Sequence, residues 1–246
     1  MKSTKTGGTG GNGVIDALFG AGAHFGFVKS RRHPSAKPFI FGTKNKIEIF
    51  DLEKTSVELE KALVFAESKG KEGVMGLFVG GKSEAREAVI KSGRALEMPF
   101  VPGRWIGGTL TNFSEIKRRI ARLEELTTQR ERGELAKYTK KERLLIDREI
   151  AKLELYFGGL STLKSLPKFL VVIDPKKEHI AVKEAEAMKI PVIALAGSDS
   201  NLYDVDYAIP GNDASRQTID FILGKIVEAY KKGKETNDNN RADQTA

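Results

Sequence analysis

The chain has 246 residues, a formal net charge of +8 and 40% hydrophobic residues, with a pI near 9.4. That length and apolar content suffice for one large domain or two modest ones with a real core, and the basic balance points to a polyanionic partner, nucleic acid before anionic membrane. Cysteine is absent, which excludes disulfides, thiolate zinc sites and a Cys nucleophile and fits a reducing cytoplasm; no apolar run approaches the ~20 residues needed to cross a bilayer.

Residues 1–13 are rich in Gly and Thr, lack the apolar segment of a signal peptide and read as a disordered leader. A short helix is predicted over residues 14–22, closed by Gly20 or Gly22. The stretch that follows, rich in Lys, Arg, Pro and Gly, reads as a loop or extended arm, and Ile47 and Ile49 begin a short strand. Val57, Leu59, Ala62, Leu63 and Phe65 have helical spacing closed by Gly70. Residues 74–79 form a continuous apolar run, the mark of a strand buried on both faces of a parallel sheet. A helix is predicted over 83–96 and a short strand over 100–101.

Phe113, Ile116, Ile120 and Leu123, then Ile146, Ile150, Leu153 and Phe157, step by threes and fours. With Gly133 between them and a capping-box signal at Thr139 and Glu142, they predict an antiparallel coiled-coil hairpin. Strands over 169–174, 191–195 and 207–209 alternate with helices over 178–188 and 213–231. Alternation of this kind implies an α/β fold with a parallel sheet flanked by helices. The α/β domain then comprises 14–110 and 158–233, the hairpin 111–157, and the polar stretch 234–246 a disordered tail.

No acid interrupts the chain between Asp16 and Glu48, while Lys29, Arg31, Arg32, Lys37, Lys44 and Lys46 fall within that interval. Cations in such a run neutralise phosphates and release counterions. The interleaved Phe25, Phe27, Phe39 and Phe41 have the character of core anchors more than of base-stacking platforms. Lys117, Arg118, Arg119 and Arg122 at the hairpin root are a second cationic group, with Glu115 the one close acid at the first three. Along the second hairpin helix, a solvated face paired to Glu124, Glu125, Glu142 and Glu149 fits equally well.

Gly76 to Ser83 matches the phosphate-loop pattern literally. A real phosphate loop places its first Gly at the strand's end, whereas Leu77, Phe78 and Val79 continue the apolar strand. The weaker expectation is that Gly80-Gly81-Lys82 opens a helix whose end, with Lys82, holds an RNA phosphate. Arg104 adjoins the single Trp, Trp105, which reads as part of a hinge; Thr111 or Asn112 is expected to cap the first hairpin helix. His24, His33 and His179 lack metal-site spacing. Asp174, Asp199, Asp204 and Asp206 lie near strand ends, where α/β folds bind ligands, and leave a cation or small-molecule site open.

Several strings resemble the bacterial ribosomal protein S-two family in family order over residues 14–230. They include Gly22-Ala23-His24-Phe25-Gly26, Lys37-Pro38-Phe39-Ile40-Phe41-Gly42 and Ile49-Phe50-Asp51-Leu52-Glu53-Lys54-Thr55. They continue through Arg104-Trp105-Ile106-Gly107-Gly108-Thr109-Leu110-Thr111-Asn112-Phe113, Asp174-Pro175-Lys176-Lys177-Glu178-His179 and Asp206-Tyr207-Ala208-Ile209-Pro210-Gly211-Asn212-Asp213. The resemblance implies a flavodoxin-like parallel sheet carrying a coiled-coil hairpin and a non-enzymatic, cytoplasmic, ribosome-bound protein; no cofactor or metal ligand is assigned from the sequence. It implies small-subunit ribosomal RNA as partner, with the hairpin reaching head RNA. Neighbouring ribosomal proteins, including the large multi-domain one that captures messenger RNA, are implied as well; a membrane is not. The sequence departs from the family pattern at Phe27, at residues 30–34 and at residues 196–201. Two other readings start from single features: a nucleotide hydrolase from Gly76–Ser83, and a protein-binding module from the hairpin.

Overall fold

The computed structural model describes residues 11–244. Along the chain lie α1 (Gly11–Gly20), β1 (Phe25–Val28), β2 (Ile40–Lys44), β3 (Ile47–Phe50), α2 (Leu52–Glu72), β4 (Gly76–Val79), α3 (Arg86–Ala95) and β5 (Phe100–Val101). Next come α4 (Phe113–Glu131), α5 (Lys140–Phe157), β6 (Phe169–Ile173), α6 (His179–Ala187), β7 (Val192–Ala196), β8 (Tyr207–Pro210) and α7 (Arg216–Gln244). They fall into two compact units. One takes the described chain up to Gly73, Asp174–Lys176 and the described chain from Ile193; the other takes Val74–Ile173 and Lys177–Val192. The larger sheet has five strands, all parallel, and the fold is α/β with helices on the sheet.

In the second unit β4 pairs in parallel with β5 on one side and β6 on the other. The first strand of the sheet therefore lies between the second and third, the order reversal that marks a flavodoxin-like sheet. β4 and β6 are buried along their whole length, as continuous apolar runs predict. Gly76 sits inside β4 because a Cβ there would come 2.3 Å from the Phe169 ring. α4 and α5 run antiparallel and are joined through a 3-10 turn at Glu134–Lys137. Ile116, Ile120, Leu123 and Leu126 of one helix and Ile150, Leu153 and Phe157 of the other are buried. Thr139 and Glu142 form the expected capping box at the start of α5.

In the first unit β7 and β8 pair in parallel, Ile193 facing Tyr207. The basic stretch expected to be a loop or extended arm contributes β1 and β2 to an antiparallel sheet of order β1-β3-β2, while between those two strands the chain is irregular, as expected, and passes through 3-10 turns at Lys29–Arg31 and Pro34–Phe39. Asn45 and Lys46, both at positive φ (51° and 68°), make the two-residue turn from β2 to β3. Register shifts in both strand pairs break the alternation by which sequence reveals a strand. Asp51 caps α2, accepting from the Glu53 and Lys54 amides, and Gly73 at φ 66° ends it. Gly70, expected to close that helix, lies inside it. A Cβ at Gly70 would fall 2.2 Å from the Tyr230 carbonyl, and one at Gly233 would fall 2.1 Å from the Glu67 carbonyl. These glycines let α2 and α7 pack at close range.

α1 begins at Gly11, inside the expected leader, whose residues 1–10 lie outside the described residues. α7 continues past residue 233 to Gln244, along the stretch expected to lack structure. Beyond Gly233 its sequence has no Gly or Pro to stop a helix; residues 245–246 lie outside the described residues.

Candidate nucleic-acid interface

The cations of the basic sheet and its connecting turns divide into two classes. Arg31 Nη2 donates to Asp199 Oδ2 at 2.9 Å, and its guanidinium lies 4.7 Å from the centre of the Phe27 ring. Arg32 Nη1 donates at 2.9 Å to Glu48 Oε1, a fully buried carboxylate and the acid that ends the acid-free run. Both arginines are thus anchored to buried carboxylates, Arg32 half-buried and Arg31 still open to solvent. Lys29, Lys37, Lys44 and Lys46 are exposed and make no ion pair among the described residues. The aromatic residues also divide. Phe39 packs against Ala36, Ala196 and Leu202, and Phe27 is half-buried, whereas Phe25 and Phe41 are 47% and 81% exposed and do not anchor the sheet.

The loop after β7 seats this sheet. Ser198 Oγ accepts from the Phe27 amide at 2.9 Å, and its carbonyl accepts from the His33 amide at 2.9 Å. Ser35 Oγ accepts from the Leu202 amide at 3.0 Å. Lys176, outside the set expected from sequence, donates at 2.9 Å to the same Asp199 oxygen as Arg31. The available signal was position: small polar residues following a buried strand at its carboxyl end.

At the hairpin root, Arg118 and Arg119 share Glu115 at 3.4 and 3.2 Å. Arg122 pairs with Glu125 at 3.0 Å and with Glu149 across the hairpin at 3.3 Å. These pairs are exposed, so each holds its partners by about 1 kcal/mol or less. Lys117 has no carboxylate partner among the described residues and lies 5.6 Å from the Phe113 ring centre. Arg104 is exposed in the loop before α4.

Lys82 is half-buried in the turn after β4, and α3 starts only at Arg86, so Gly80-Gly81-Lys82 does not open a helix. The Gly81 amide donates to the buried Glu178 Oε1 at 3.1 Å, and a Cβ at Gly81 would sit 2.5 Å from that oxygen. A carboxylate therefore occupies the position that a phosphate would take. The carboxylates at the strand ends are likewise engaged: Asp199 by two cations, Asp204 by the Asn201 amide at 2.6 Å. Among the described residues no three His, Asp or Glu side chains converge as a metal site.

The loop holding Trp105 is built around a residue that sequence reading missed. Glu184 of α6 is 8% exposed. Its Oε1 accepts from Trp105 Nε1 at 3.1 Å and the Gly108 amide at 2.8 Å. Its Oε2 accepts from the Leu110 and Thr111 amides at 2.9 and 3.2 Å and from Thr111 Oγ1 at 3.2 Å. Burial pushes the carboxyl's pKa up, but the donors from Leu110, Trp105, Gly108 and Thr111 outweigh it, and the group lies below its ordinary value. Thr111 is committed to Glu184, and Asn112 stands at the N-cap of α4 without a side-chain cap bond, so neither caps the helix as expected.

The family model described as Ribosomal protein S2 matches residues 18–233. The small ribosomal subunit protein uS2 of Petrotoga mobilis is 44% identical over 218 residues, 89% of this chain and 76% of the relative. Proteins of the same name from Coprothermobacter proteolyticus and Roseiflexus sp. are 41% and 40% identical, covering 90% and 92% of this chain and 83% and 87% of their own lengths. With the flavodoxin-like reversal at β4 and a match spanning nearly all of the described fold, the chain belongs to the ribosomal protein S2 family.

Proposed function

We propose that the chain is a structural, non-enzymatic constituent of the small ribosomal subunit that binds ribosomal RNA. The observation that carries this reading is the set of exposed lysines in the basic sheet and its connecting turns, Lys29, Lys37, Lys44 and Lys46, which have no carboxylate partner among the described residues. In the second unit, Arg104 and Lys117 have the same exposed character. Arg118, Arg119 and Arg122 exchange weak, exposed carboxylate partners for phosphate at little cost. Such contacts give affinity and register, while RNA shape supplies specificity. Lys82 is a lesser contact, and Arg31 and Arg32 serve the fold as well as the interface. The partners are small-subunit ribosomal RNA and neighbouring ribosomal proteins, among them the large multi-domain one that captures messenger RNA, and the chain acts on cytoplasmic ribosomes. The relatives' names, small ribosomal subunit protein uS2, support the reading.

The test is co-sedimentation with small subunits lacking this protein, across a salt series. Replacing Lys29, Lys37, Lys44 and Lys46 together by Ala should lower the slope of log affinity against log salt by about 3 to 4. An unchanged slope would sink the assignment.

A further inference from the structure

Asp199 presents an arrangement that ordinary surface ion pairs lack. Its side chain is 5% exposed, and one oxygen, Oδ2, accepts from both Arg31 Nη2 and Lys176 Nζ at 2.9 Å. The two cations therefore lie within about 6 Å of each other, close enough to share one anion. Both remain open to solvent, at 55% and 51% side-chain exposure. The Phe27 ring beside the guanidinium restrains Arg31. The three charges sum to one net positive charge on a rigid footing, with Lys176 just past β6 and Asp199 just past β7, at the carboxyl ends of parallel strands. Ligands of α/β sheets gather at those ends.

The geometry points to a phosphate-binding clamp in which Arg31 and Lys176, held side by side by the buried Asp199, grip a single phosphate group. In the bound protein that group is a phosphodiester of the RNA backbone. The choice of RNA rests on the function proposed above; the clamp itself does not. A cluster of net charge one has a distinctive signature. Removing either cation brings it to zero, and removing both leaves the buried Asp199 carboxylate unpaired at a net charge of minus one.

Two measurements on the full chain test this. In co-sedimentation with small subunits, Lys176→Ala and Arg31→Ala should each lower the salt slope by about one, and weaken association about eightfold at ~0.1 M salt. The triple variant Arg31→Ala, Lys176→Ala, Asp199→Asn, which also leaves a net charge of zero, should lose no more than either single variant. A greater loss in the triple variant, or a Lys176→Ala slope equal to that of the unsubstituted chain, would overturn the clamp. In a titration of the free protein with inorganic phosphate, the Arg31 and Lys176 side-chain nitrogen resonances should shift together and saturate. Lys176→Ala should abolish the Arg31 shift. Saturating shifts without any salt-dependent subunit association would keep the phosphate clamp and discard the RNA reading. Association with no phosphate shift and no effect of Lys176→Ala would discard the clamp and keep the RNA reading.

Discussion

Glu184→Ala removes the acceptor for Trp105 Nε1, for three backbone amides and for the Thr111 hydroxyl. Water reaches the half-buried Gly108 and the exposed Thr111 once the carboxylate is gone. It does not readily reach Trp105 or Leu110, which are 5% and 1% exposed. Each buried donor left without a partner costs about 1–3 kcal/mol, so the two together give a loss of ~4 kcal/mol. For a chain of this size that lowers Tm by about 8–16 °C. The assay is thermal or urea unfolding followed by tryptophan emission, because Trp105 is the sole Trp and sits on the perturbed bond. Glu184→Gln should cost less, since its amide oxygen still serves one side of the loop. The pH dependence has a definite sign. The folded carboxyl titrates below its ordinary 4.5, so the unfolded chain takes up the proton first. Stability from Glu184 is complete above about pH 4.5 and drains away as pH falls through the lower, folded value. Glu184→Gln should flatten that limb. A Glu184→Ala protein within about 1 kcal/mol of the unsubstituted chain, with unchanged emission, would refute the account.

Arg32→Ala strands the fully buried Glu48 carboxylate and should cost about 3–5 kcal/mol in urea unfolding; a neutral result would return Arg32 to the surface class. Gly233→Ala drives a methyl to 2.1 Å from the Glu67 carbonyl and should destabilise by roughly 1–3 kcal/mol as α7 is pushed from α2, an effect visible in a thermal melt. Thr139→Ala removes the cap of α5 and should cost about 1 kcal/mol, read as faster amide exchange in the first turn of that helix. Titration with Mg²⁺ and adenosine triphosphate should give no saturable heat, because Glu178 holds the Gly81 amide; saturable binding abolished in Lys82→Ala would contradict this.

Local signals carried the architecture. Runs such as Leu77-Phe78-Val79 and residues 169–173 are apolar because both faces of their strands are covered, and burial of that kind is written directly into composition. The capping box at Thr139 was legible because its two residues stand three apart. The antiparallel sheet β1-β3-β2 was not, since its bulges erase the period of two and its short strands flank a true Pro-containing loop. Gly70 was misread as a helix end because local sequence does not reveal that α7 lies against it.

The same division runs through the interface. Sequence by itself determined the α/β class, the helical spacing of the hairpin region and the concentration of cations between Asp16 and Glu48. Only the tertiary structure decided which of those cations already have partners. Arg32 meets Glu48 from 16 residues away, Lys176 meets Asp199 from 23, Arg31 meets the same Asp199 from 168, and Trp105 meets Glu184 from 79. Charge can be counted along a chain, but whether a charge is free for phosphate depends on distances that only folding creates.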